Sequence, residues 1–108
     1  MRWIYSLLMM IVFLSSANGD NMTQINYLPP GGVVSNEKMA AAIAEIVLSS
    51  VYGQAEIKKE LPLKVHLDND EVWMISGTFN EPKGTLGGVA QILIRKRDGA
   101  VLGMIHGE

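Results

Sequence analysis

The chain has no cysteine. Disulfides are excluded as a source of stability, and so are a thiolate nucleophile and a lipid-modified N-terminal cysteine. Positive charge is also scarce: 9 Lys and Arg stand against 11 Asp and Glu, a net charge of −2. A nucleic-acid binder needs a strong basic surplus, so that class is disfavoured. No apolar run is long enough to cross a bilayer, which takes about 20 residues. Catalytic signatures are missing too. No Ser sits in a Gly-x-Ser-x-Gly turn, and Gly84 and Gly87-Gly88 lead into a strand pattern rather than the Gly-Lys-Ser/Thr helix start of a phosphate loop. Asp68, Asp70 and Glu71 open like a calcium loop, but Trp73 and Phe79 stand where that loop needs Gly and Glu.

What is present begins with an export signal. Arg2 precedes an apolar run over residues 3–14, followed by Ser15-Ser16-Ala17-Asn18-Gly19. A positive flank, a short apolar stretch and small residues are the layout of a secretory signal peptide. Ser15 and Ala17 suit a cut before Asn18; Ala17 and Gly19 suit one before Asp20. The expected location is therefore periplasmic or secreted. With residues 1–17 removed, 91 of the 108 residues remain, enough for one domain with a modest core. Residues 18–34 read as an extended arm interrupted by Pro29-Pro30-Gly31-Gly32, and residues 35–108 as a single domain. Asn21-Met22-Thr23 matches a glycosylation acceptor.

The domain opens with the strongest helix pattern, from about Asn36 to Tyr52. Ser35 or Asn36 suits the N-cap, Glu37 suits the positive helix end, and Gly53 suits the stop. Met39, Ile43, Ile46, Val47 and Val51, widened by Ala40 and Ala44, form the expected buried stripe. A short helical turn is expected before Pro62. From there the period becomes two, predicting a strand at 63–67, another at 71–79, a third at 88–96 and a fourth at 100–106. Trp73, Ile75 and Phe79 share one face of the second strand; Val72, Met74, Ser76 and Thr78 share the other. Asp68-Asn69-Asp70 and Arg97-Asp98-Gly99 are turns. One helix followed by two hairpins is the α+β pattern: a helix across one face of an antiparallel sheet of about four strands, with the second face free.

The titratable residues offer little chemistry. His66 and His106 are expected to face solvent from separate strands, since a metal site needs three or four ligands. Arg95-Lys96-Arg97 is a basic run at a hairpin, suited to electrostatic docking. Trp73 belongs to the core by alternation, and becomes a binding anchor if its face is the open one.

The order Val51-Tyr52-Gly53, Glu60-Leu61-Pro62-Leu63, Val72-Trp73-x-x-x-Gly77-Thr78, Gly87-Gly88, Asp98-Gly99 and Ile105-His106-Gly107 resembles a bacterial family of immunity proteins. The resemblance covers residues 27–108. It implies a nuclear-transport-factor-two-like or cystatin-like cone, reduced in this short chain, and a protein that binds and neutralises a competitor's toxin. No enzyme activity, cofactor or metal is expected, and the partner is a protein, the cognate toxin. Residues placed at the partner surface are Trp73, Arg95, Arg97 and His106. Two rival classes remain: a small ligand- or envelope-binding module with a concave face at Trp73 or Met74, and a cone-fold enzyme using His66, His106 and Asp70 as acid–base groups.

Overall fold

The computed structural model describes residues 25–107. The expected signal segment, both expected cleavage positions and the Asn21-Met22-Thr23 match lie outside the described residues. Two helices, α1 (Glu37–Tyr52) and α2 (Gln54–Lys58), precede four strands, β1 (Lys64–Asp68), β2 (Val72–Ser76), β3 (Ala90–Arg95) and β4 (Val101–His106). The strands pair in chain order, each antiparallel to the next. Helix α1 packs on one face of this sheet, so the fold is the expected α+β arrangement.

Helix α1 starts where Asn36 adopts an extended conformation and its Oδ1 accepts the Met39 N–H at 2.9 Å. Glu37 adds negative charge to the first turn. The helix ends at Gly53, whose φ of 101° is one that a side chain opposes. Its buried stripe differs from the expected one. Ala40, Ala44 and Leu48 are fully buried, Ile43 and Val47 flank them, and Met39, Ile46 and Val51 are exposed. Apolar residues cover most of this helix's circumference, so periodicity alone did not fix the centre of the stripe. The two alanines fix it: a helix approaches a sheet most closely where its side chains are smallest.

The sheet follows its alternation closely. Val65, Ile75, Ile92 and Met104 form one row across the covered face, and Leu67, Trp73 and Ile94 form the next. Trp73 is 4% exposed, and its indole Nε1 donates to the Val34 carbonyl at 2.8 Å. That bond lets the polar edge of the ring be buried without loss. Phe79 does not share this face. The strand ends at Ser76, and Phe79 is exposed beside Gly87.

The last residues of the arm join the fold. Val33 and Val34 N–H groups donate to Arg97 and Lys96 carbonyls, and the Val34 side chain is fully buried. The path requires Gly32, whose φ is 90° and whose missing Cβ would collide with the Lys96 carbonyl. Both expected turns form. Asn69 and Asp70 have φ of 53° and 57°, a region Asn and Asp tolerate better than other side chains, and Glu71 N–H closes the turn on Asp68 O. Gly99, at φ 78°, closes the second.

Candidate functional site: an open sheet face and a His–Glu cleft

Alternation leaves one sheet face without a helix. His66, Met74 and Leu93 stand opposite one another in a row across β1, β2 and β3, and Gly103 of β4 continues it. The neighbouring row is Lys64, Ser76, Gln91 and Ile105. Met74, Leu93 and Ile105 are 44%, 38% and 61% exposed. An apolar stripe bordered by Lys64, His66 and Gln91 thus faces outward, with a shallow depression of about 260 Å³ along it. Val72 and Arg95 are paired at one end of this face.

The Arg95–Arg97 turn borders a larger groove of about 450 Å³, lined by Pro29, Gly32, Asp70, Glu71, Lys96 and others. Its charges are partly matched within the fold. Arg95 Nη1 meets Asp98 Oδ2 at 2.9 Å, Arg97 lies 3.9 Å from the same carboxylate, and Lys96 Nζ is 3.4 Å from Asp70. The Ala100 N–H, followed by Arg95 and Arg97, holds the Asp98 carboxyl below the usual range despite the opposing effect of burial.

The second site lies at the other end of the molecule and was not legible in the sequence. His106 was expected to face solvent, but its strand partner is Ala90, a core residue, which puts the imidazole on the covered face. There its ring packs at 5.3 Å from the Tyr52 ring. Its Nε2 lies 2.8 Å from Glu60 Oε2 and 3.7 Å from Glu56 Oε2. Its Nδ1 lies 2.7 Å from the Gly107 carbonyl, an acceptor only, so Nδ1 carries a hydrogen and donates. Glu60 is the one buried charged side chain in the described core. Its Oε1 accepts the Ala90 N–H at 2.7 Å, leaving Oε2 for His106.

Several contacts fix the backbone that carries this carboxylate. Thr78 N–H donates to the Glu60 carbonyl, Thr78 Oγ1 to Pro62 O, and Asn80 Nδ2 to the Lys59 and Leu61 carbonyls. Gly77 is buried, and a Cβ there would collide with the Glu60 carboxylate. The Glu60 bond raises the His106 pKa above its ordinary value; burial opposes this, and Gly107 O and the charges of Glu60 and Glu56 reinforce it. Burial pushes Glu60 upward, but the Ala90 N–H, His106 and Glu56 outweigh it and hold the carboxyl low. A cleft of about 290 Å³ opens beside the cluster, rimmed by exposed Lys59, Asn80, Glu81 and Leu86.

The residues singled out in the sequence are therefore dispersed. Trp73 is core, Arg95 and Arg97 border the groove, and His106 joins Glu60 and Glu56. His66 and His106 do not meet, because β1 and β4 are opposite edges of the sheet. Asp70 pairs with Lys96.

A family model described as NTF2 fold immunity protein matches residues 39–108, spanning most of α1 and every strand. The chain belongs to that family. It is also similar to the uncharacterized protein YhhH of Escherichia coli (strain K12), with 33% identity over 76 residues. The match covers 70% of this chain and 58% of that relative, so this chain spans little more than half of the relative's length. No solved structure gives a significant match.

Proposed function

We propose that this chain is an exported immunity protein that neutralises a cognate toxin by occlusion. Family membership supports the toxin-neutralising role. The observation that carries the physical reading is the outward row of Met74 and Leu93, with Ile105 beside it, on an uncovered sheet face. Exposed apolar side chains in register on rigid strands form a preorganised surface, so little ordering cost opposes binding. Inhibition by covering a toxin's working surface needs shape and charge complementarity, not a reacting group.

Magnitudes say how far the contact must reach. Four strands of this length present a face of about 350 Å². A stable interface takes about 800 Å² from each partner. The sheet face therefore supplies the apolar centre, and the rim must supply the rest. Arg95 and Arg97 lie at one end of that rim and suit acidic groups on the toxin. Occlusion is better supported than acid–base catalysis: a single imidazole meets carboxylates, in a cleft with a polar, exposed rim rather than closed apolar walls.

Export is read from residues 1–19, whose layout is that of a secretory signal peptide, and it would put the encounter in the periplasm or outside the cell. The toxin would then act on the cell wall or membrane. The protein encoded beside this chain, purified and immobilised, should retain it, and co-expression should rescue growth. Failure of both would remove the proposal.

A further inference from the structure

We propose that Glu56, Glu60 and His106 bind one divalent transition-metal ion of the zinc class. Each offers one ligand atom, and the three atoms lie within 4.8 Å of one another. The inference rests on this geometry and is independent of the immunity role.

The hydrogen-bond pattern makes the case stronger than proximity alone. Nδ1 of His106 is committed as donor to Gly107 O, so Nε2 is the ring nitrogen that faces Glu60 Oε2, 2.8 Å away, and on losing its proton it aims a lone pair there. A lone pair facing a carboxylate at that distance requires a cation between them. A proton can fill the place, and so can a metal. Ligating histidines commonly donate the other ring N–H to a backbone carbonyl, as this one does. Glu60 is held in the same manner, with Oε1 on the Ala90 N–H and Oε2 directed at the imidazole. Both groups are thus oriented by backbone atoms before any ion arrives.

The dimensions suit zinc. Bonds of about 2.0–2.2 Å in a tetrahedron separate neighbouring ligand atoms by about 3.3 Å. The observed separations from Nε2, 2.8 Å to Glu60 and 3.7 Å to Glu56, bracket that value. One imidazole and two carboxylates suit zinc and its neighbours better than calcium, which takes six to eight oxygens. Three protein ligands leave a fourth position, and the 290 Å³ cleft lies beside it for water or an incoming side chain. The bound ion would tie α2 and the residue that follows it closely to the end of β4.

The test uses the untagged protein as the cell processes it, stripped with chelator and titrated with zinc chloride by calorimetry at mildly alkaline pH. One ion per chain should bind and raise the melting temperature. Cobalt(II) in its place should give visible absorption of a low-coordinate site. Glu56 is 40% exposed at its side chain, so Glu56→Gln should keep the fold by circular dichroism while weakening zinc by about tenfold or more, a loss known even for outer-shell changes. His106→Gln should weaken it further, and His66→Ala should leave it unchanged. The proposal is overturned if the parent takes up no stoichiometric zinc, or if folded Glu56→Gln and His106→Gln both bind as tightly as the parent.

Discussion

Glu60 shows what one buried carboxylate demands of its neighbours. Its two oxygens are divided between the Ala90 N–H and His106, and the space beside it exists because residue 77 has no side chain. Gly77→Ala should therefore displace the carboxylate and cost about 1–3 kcal/mol, as overpacking does, measured as a lowered midpoint in urea. The ion pair also sets a pH window. His106 titrates above its ordinary 6.5 in the folded protein, so its contribution is complete below 6.5 and fades as pH rises through the raised value. Glu60 titrates below its ordinary 4.5, so its contribution is present above 4.5 and fades as pH falls through the lowered value. In chelator, the parent should lose stability on the alkaline side of 6.5, and His106→Gln should not. Below 6.5 the substitution should cost about 1.5–3 kcal/mol, the worth of a charged hydrogen bond. A melting series across pH reads both. None of this was legible beforehand. Glu60 sits between α2 and β1 where no periodicity assigns a face, and only the sheet register brings His106, 46 positions later, against it.

At the scale of elements, the sequence was more informative. Alternation located all four strands, Asn36 and Gly53 located the ends of α1, and Asp98-Gly99 located a turn, because each signal is local chemistry. The rotation of α1 was not local. Its apolar residues permit several faces, and the choice of Ala40, Ala44 and Leu48 belongs to the packing against the sheet. The two readings separate in the laboratory. Leu48→Ala should cost about 2–5 kcal/mol, the range for truncating a buried leucine. Ile46→Ala, at a position 72% exposed, should change stability by no more than about 0.5 kcal/mol. Equal losses from the two would mean that the helix is seated differently.

For the whole molecule, the division of labour follows from one helix covering one side of a four-stranded sheet. The covered side carries the core and, at its edge, the Glu56–Glu60–His106 cluster. The uncovered side carries Met74, Leu93 and Ile105, which no helix covers. Such an arrangement permits a partner surface to change without loss of the fold. The open face was legible in the alternation of β2 and β3; its partner is not written there, because affinity depends on a second surface. The most direct test is calorimetric binding of the neighbouring-encoded protein to the parent and to a Met74→Glu/Leu93→Lys double variant, whose new charges are paired across the strands. The account predicts a fold retained by circular dichroism and an affinity lowered by about a hundredfold or more, a loss of about 2.7 kcal/mol that is ordinary for a disrupted interface centre. A folded double variant that binds as tightly as the parent would contradict it.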